Sequence, residues 1–246
     1  MLRSLKEILG YKIEATDGEI GKIHDFFFDD EIWAIRYIVV DAGSWLEDRK
    51  VLIVPSAAGD PDWKTSSVPV RLTKEQVKES PEIDTDQPVS RQAETELHKH
   101  FEWTPYWIVS VPGVVPPVPK EIKEEAKKEA QKERVDPHLR SAREVAGYRI
   151  RATDGSAGHV EQFIADDTDW YIRYMVVDIR ERLIFWKKVL VSPEWIERVS
   201  WPGSNIFLDL PKKTIKNSPE YNPSAPVNRQ FEERLYDYYG RPKYWE

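Results

Sequence analysis

Two pairs of adjacent carboxylates, Asp29-Asp30 and Asp166-Asp167, are the first candidates for chemistry in this chain. Neighbouring carboxylates can hold a hard cation through oxygen ligands or share acid–base work. Each pair also follows an apolar run, where Asp accepts hydrogen bonds from local amides and ends a strand, and turn formation is the preferred reading. Asp41 and Asp178 follow a second apolar run in the same way, and Arg36 and Arg173 sit inside such runs. A structural ion pair between each arginine and one of these aspartates is expected, with an anion or partner contact as the alternative. The five histidines, His24, His98, His100, His138 and His159, form no H-E-x-x-H pattern. His98 and His100 would point to different faces of a helix. They read as surface or half-buried side chains, so no metal ligand is assigned. Gly18-Glu19-Ile20-Gly21 and Gly155-Ser156-Ala157-Gly158 have G-x-x-G spacing, but in hairpins with acidic or neutral tips. There is no phosphate loop and no dinucleotide fingerprint. Ser44 and Ser56 lie in loops without a nucleophile elbow. No catalytic residue and no cofactor is assigned, and the chain is read as not an enzyme.

Composition narrows the classes further. The 246 residues carry 40% hydrophobic side chains, enough to build cores and to argue against wholesale disorder. The absence of cysteine excludes disulfide scaffolds and thiolate chemistry. A net charge of −7 argues against direct nucleic-acid binding, which needs surplus Lys and Arg. No apolar run approaches the ~20 residues of a membrane span, so no membrane insertion is expected. The segment Met1-Leu2-Arg3-Ser4-Leu5-Lys6-Glu7 has no signal-peptide pattern, and the expected location is cytoplasmic.

The chain is a tandem duplication. Gly10–Asp41 aligns with Gly147–Asp178 without gaps at a spacing of 137, with 18 of 32 pairs identical. After one inserted residue the spacing becomes 138, and Ser80-Pro81-Glu82 matches Ser218-Pro219-Glu220. Likewise Pro88-Val89-Ser90-Arg91-Gln92 matches Pro226-Val227-Asn228-Arg229-Gln230, and Tyr106-Trp107 matches Tyr244-Trp245. The expected division is a first repeat over 1–110, a linker over 111–136 and a second repeat over 137–246. The linker joins a Pro-rich stretch, 111–119, to a Lys/Glu/Ala run, 120–134, read as an exposed helical spacer. Charge is unevenly shared: residues 1–115 hold 13 Lys and Arg against 21 Asp and Glu, net −8, whereas residues 137–246 are at +1. The repeats kept one pattern and diverged in surface.

Each repeat reads as a strand over 11–15, an Asp-Gly hairpin and a second strand over 23–28. Gly21 marks a bulge or a close backbone approach. Further strands are expected over 33–40, 50–54 and 67–72. Short strands with frequent turns favour a small closed sheet, since closure removes exposed edges. Helices follow: Thr73-Lys74-Glu75-Gln76 has the form of a capping box, and Ser90 and Asn228 are good N-caps. The buried face of the last helix is expected to carry Ala93, Leu97 and Phe101 in the first repeat, and Phe231, Leu235 and Tyr239 in the second. Aromatic tails close each repeat. Trp103, Tyr106, Trp107, Tyr239, Tyr244 and Trp245 are read as partner-binding candidates, with core capping or contact between repeats as the alternative.

The opening Leu5-Lys6-Glu7-Ile8-Leu9-Gly10-Tyr11, the Asp17-Gly18-Glu19-Ile20-Gly21 hairpin, and the runs Ile35-Arg36-Tyr37-Ile38-Val39-Val40 and Val51-Leu52-Ile53-Val54-Pro55 together resemble the PRC-barrel family. The resemblance covers both repeats. It implies two tandem β-barrels, each followed by short helices, in a mainly β chain. Members of that family occur in the cytoplasmic part of the photosynthetic reaction-centre H subunit and in a ribosome maturation factor. The resemblance implies an interaction and assembly module, with no catalytic motif to carry over. The leading expectation is a non-enzymatic protein-interaction scaffold whose partner is unidentified, with self-association or intramolecular barrel pairing open. The alternatives are a small-molecule or ion-binding protein or enzyme at a barrel mouth, and a ribosome- or RNA-processing accessory.

Overall fold

The structure, a computed structural model, describes residues 1–85, 89–107, 138–181 and 185–246. The Pro-rich stretch and the helical spacer expected over 111–134 lie outside the described residues. The first repeat contains β1 (Leu2–Ser4), α1 (Leu5–Ile8), β2 (Lys12–Ala15), β3 (Gly18–Asp29), β4 (Ile35–Asp41), β5 (Lys50–Ile53), β6 (Ser67–Pro69), α2 (Lys74–Lys78) and α3 (Arg91–His100). The second contains β7 (Leu139–Ser141), α4 (Ala142–Val145), β8 (Arg149–Ala152), β9 (Gly155–Asp166), β10 (Ile172–Glu181), β11 (Phe185–Val191), β12 (Ile196–Ser200), β13 (Asn205–Leu208), α5 (Lys212–Asn217) and α6 (Arg229–Tyr239). The chain is mainly β.

The local chemistry explains several of these elements. Asp-Gly places Gly18 and Gly155 at φ +139°, which turns β2 into β3 and β8 into β9 within two residues. Thr73 caps α2 through a complete capping box with Gln76. Ser90 and Asn228 accept the N–H groups of Ala93 and Phe231 at the starts of α3 and α6. Gly240, at φ +62°, ends α6 in a left-handed cap.

One sheet has the order β11-β10-β9-β8-β13-β12, with β1 also paired to β9. Its pairs are antiparallel except β13–β8, which is parallel. The other follows β5-β4-β3-β2-β6, and its β2–β6 pair is again parallel. Among the described residues both orders are open, at β11 and β12 in one sheet and at β5 and β6 in the other. Two multi-stranded sheets thus stand where closed barrels were expected. Part of the reason is length: the strand expected over 67–72 forms only the three residues of β6, too few for a long closing ladder. An exposed edge is managed instead by local cover, as where Tyr221 N–H donates to Lys188 O beside β11.

The chain divides into two compact units. Unit 1 comprises Met1–Leu9, Asp25–Arg36 and Ser141–Glu246. Unit 2 comprises Gly10–His24 and Tyr37–Arg140. Two segments of the first repeat therefore belong to the compact unit that holds most of the second. In unit 1 these segments supply β1, which lies beside β9 with Leu2, Arg3 and Ser4 opposite Asp166, Ala165 and Ile164. They also supply Phe28 and Trp33, whose rings stack at 5.0 Å and meet Phe163 at 5.8 and 6.2 Å. In unit 2 the core gathers Ile13, Ile20, Ile38, Leu52 and Ile53, each at most 1% exposed.

The glycine after each hairpin is set by contact. A Cβ on Gly158 would lie 2.4 Å from Asp178 O, and one on Gly21 would lie 2.0 Å from Asp41 O. In unit 2 the bulge expected at Gly21 falls on its neighbour Ile20, between the pairs Ile13–Gly21 and Glu14–Glu19.

Gly155 and Gly158 separate two effects. Both have strongly positive φ, but a Cβ on Gly155 meets nothing within 4 Å. Gly155→Ala should cost backbone strain alone. Gly158→Ala should cost about 1–3 kcal/mol more, the usual penalty of overpacking. Urea unfolding of the two variants measures the difference, and equal midpoints would show that the β9–β10 approach is not rigid.

Candidate functional site

Tyr37 in β4 and Tyr174 in β10 occupy equivalent positions, and both are fully buried. Each hydroxyl meets a carboxylate from the terminal helix of its own repeat. In unit 2, Tyr37 OH donates to Glu94 Oε1 at 2.9 Å. Tyr106 OH donates to the same oxygen at 2.7 Å, and Arg91 Nη1 lies 2.9 Å from Glu94 Oε2. The Arg91 guanidinium stands 4.4 Å from the Trp107 ring centre. In unit 1, Tyr174 OH and Tyr244 OH donate to Glu232 Oε1 at 2.8 and 2.9 Å. Arg229 Nη1 is 3.1 Å from Glu232 Oε2, and its guanidinium lies 4.0 Å from the Trp245 ring centre. The two repeats build one constellation: a carboxylate, two tyrosines, an arginine and a tryptophan.

Helical spacing explains the assembly. Arg91 and Glu94, like Arg229 and Glu232, stand three apart and share a helix face. The carboxylates are only 2% and 3% exposed, so each needs its full set of donors. Burial pushes the hydroxyl pKa values of Tyr37, Tyr106, Tyr174 and Tyr244 up, with the adjacent glutamate adding to the effect. These phenols remain donors across the physiological range.

One position distinguishes the copies: His98 in the first repeat stands where the second has Tyr236. His98 Nε2 lies 2.8 Å from Tyr37 OH. The Tyr37 hydroxyl thus lies between Glu94 and His98. Burial is the largest influence on His98 and holds its pKa below the ordinary value. Tyr236 is fully buried, and burial pushes its pKa up to about 12. What the arrangement does is fasten a helix and its aromatic tail to a sheet.

The partner-binding candidates are thereby located. Tyr106 and Tyr244 are carboxylate donors. Trp107 and Trp245 stack on the arginines. Trp103 stacks on Phe101 at 4.3 Å, and Tyr239 is buried against Trp195 at 4.5 Å. All but Tyr239 are half-buried. The helix face differs from the expected one. Leu97, Leu235 and Tyr239 are buried as expected, but Ala93, Phe101 and Phe231 are half-exposed, and Glu94 and Glu232 lie inside. The face is turned because the carboxylate must reach the strand tyrosine. The signal was present: Arg, Glu, Tyr and Trp recur together at a spacing of 138.

The other polar candidates lie apart from this cluster. Asp29 accepts from the Glu31 and Ile32 amides and pairs with Arg36 at 3.0 Å. Its neighbour Asp30 is half-buried. Arg173 departs from the expected pairing with Asp166, Asp167 or Asp178. It pairs with Asp169 and stands 4.4 Å from the Tyr244 ring centre. Asp166 and Asp167 are engaged elsewhere, since both bind the Met1 ammonium and Asp167 binds Arg3 at 2.9 Å. Asp41 accepts the Gly43 amide, and buried Asp178 pairs with Arg180 at 2.8 Å and lies 3.7 Å from His159. His100 meets Gln76 O, His24 is half-buried and His138 is exposed. Among the described residues no group of three His, Asp or Glu side chains could hold a metal ion, and no helix is long and apolar enough to cross a membrane.

No protein-family model matches the chain, and no curated protein matches it.

Glu94→Ala would leave Arg91 and two phenols around an empty position, a loss of about 3–5 kcal/mol. Hydrogen exchange should show protection falling first in α3. Protection unchanged in α3 would mean that the carboxylate does not hold the helix. His98 also gives unit 2 a pH dependence. Its folded pKa is depressed, so the unfolded chain takes up the proton first as pH falls below about 6.5. Stability is fully present above that pH and is lost as pH falls through the folded value. The drop in Tm between pH 7.5 and pH 5 should shrink in His98→Phe.

Proposed function

We propose that this chain is a non-enzymatic protein-interaction and assembly module, built from two PRC-type β folds whose terminal helices are locked in place. The observation that carries the reading is Trp186, which is 75% exposed. It lies on β11, in a two-stranded ribbon with β10. In that ribbon Arg180 pairs directly opposite Trp186, with its guanidinium 5.9 Å from the ring centre. The first repeat has no counterpart: β4 and β5 end their pairing at Asp41 and Lys50. A large aromatic left in water beside an arginine has the character of an interface anchor.

The tail aromatics support the same reading in a different role. Tyr106, Trp107, Tyr244 and Trp245, engaged by their own glutamates and arginines, hold each repeat in shape. The contact surface is assigned to the feature in which the repeats differ, and the partner is a protein. The parallel β2–β6 and β8–β13 pairs, which bring the last strand of each repeat beside its first hairpin, support a PRC-type arrangement.

Affinity capture from the source cells with tagged wild-type chain and Trp186→Ala tests this. The expected result is a reproducible partner lost in Trp186→Ala while Tm is unchanged. Trp107→Ala and Trp245→Ala should lower Tm first. A partner retained by Trp186→Ala would remove the ribbon from the interface. Absence of any partner would overturn the reading.

A further inference from the structure

Unit 1 joins Met1–Leu9 and Asp25–Arg36 of the first repeat to Ser141–Glu246. Several of the contacts that join them come in matched pairs at the repeat spacing of 137. Ile35 N–H donates to Trp170 O at 2.8 Å, and Ile172 N–H donates to Trp33 O at 2.8 Å. Ile35 and Ile172 are equivalent positions, and so are Trp33 and Trp170. Between them Ala34 and Tyr171, also equivalent, form an antiparallel bridge. The serines that cap α1 and α4 repeat the relation: Ser4 Oγ donates to Gln162, and Ser141 Oγ donates to Asp25. Gln162 again stands where the first repeat has Asp25.

A contact in which i meets j and j meets i is isologous, the form of an interface between two identical subunits related by a two-fold axis. Both tryptophans hold φ at +59°, a left-handed conformation that a bulky side chain rarely adopts. The same strained turn occurs on both sides of one seam and presents its carbonyl to the other side each time. Each turn is closed locally by Trp33 N–H on Asp29 O and Trp170 N–H on Asp166 O, both at 2.8 Å, which leaves the tryptophan carbonyl for the other side of the seam.

We infer that the chain is a fused homodimer. The seam is a self-complementary docking face whose occupant is a repeat of the same kind, and the companion repeat saturates it within one chain. Covalent linkage raises the local concentration of that companion, and the seam holds it. The face is then closed to a second copy of the chain.

A protease site introduced at residues 116–119 of the full chain tests this. The protein is purified folded, cleaved and examined by size-exclusion chromatography with light scattering. The expected result is one species at the mass of the intact chain, with both halves present 1:1 and unchanged on hundredfold dilution. Two separate species would overturn the inference. Slow unfolding alone could keep cleaved halves together, so the cleaved mixture is also unfolded in urea and refolded. Recovery of the 1:1 complex is expected, and recovery of separate halves would overturn the inference. The intact chain should remain a 28.8 kDa monomer as concentration rises. A concentration-dependent dimer lost on Trp33→Gly with Trp170→Gly would show that the seam is not saturated.

Discussion

A carboxylate out of reach of water must be given donors by the protein, or its burial costs several kcal/mol. That requirement organises the end of each repeat. Glu94 and Glu232 sit on the inner faces of α3 and α6, so each helix must lie where a strand tyrosine can meet it. The chain after the helix must then return, because the second phenol comes from the tail. The arginine one turn earlier neutralises the charge, and its flat face receives the tail tryptophan. Helix position, tail path and aromatic packing thus follow from one buried charge. A leucine at the same position would bury as well but would not specify where the tail goes.

The same economy appears where backbone approaches backbone. Gly21 and Gly158 lack a side chain because a carbonyl of the following strand occupies the place of a Cβ. Trp33 and Trp170 end turns closed on Asp29 and Asp166, and their carbonyls accept from Ile172 and Ile35 across the seam in unit 1. At the two glycines the residue is set by what lies opposite rather than by its own preference. Gly21 and Gly158, like Trp33 and Trp170, stand at the repeat spacing of 137.

This explains which features were legible in the sequence. Turn chemistry is local, so the Asp-Gly hairpins, the Thr73 capping box and the Ser90 and Asn228 caps could be read directly. The close approach at Gly21 could be read as well, because a glycine just after a hairpin has few other reasons to stand there. The buried face of α3 was misread because apolar periodicity takes Ala93 and Phe101 as inward and Glu94 as outward. A glutamate inside becomes legible only when its donors Tyr37, Arg91 and Tyr106, the first of them 57 residues away, are considered as a set. The pairing of Arg173 with Asp169 was equally out of reach, since it depends on Asp166 and Asp167 being engaged by Arg3 and the Met1 ammonium from the far end of the chain.

Fusion of two copies also explains how the repeats could diverge as they did. In a dimer of identical chains every substitution appears twice, so a new exposed aromatic would be presented on both subunits. Once joined, the copies are free to differ. The first carries net −8 over residues 1–115 and ends the β4–β5 pairing early, whereas the second is near neutral and extends β10 and β11 into the ribbon that bears Trp186. The His98/Tyr236 difference has the same character, giving a histidine to one lock and a tyrosine to the other. The seam and the buried glutamates, by contrast, are the same in both, because each half still depends on them. Shared features therefore mark what holds each repeat in shape, and differences mark where the repeats are free to vary.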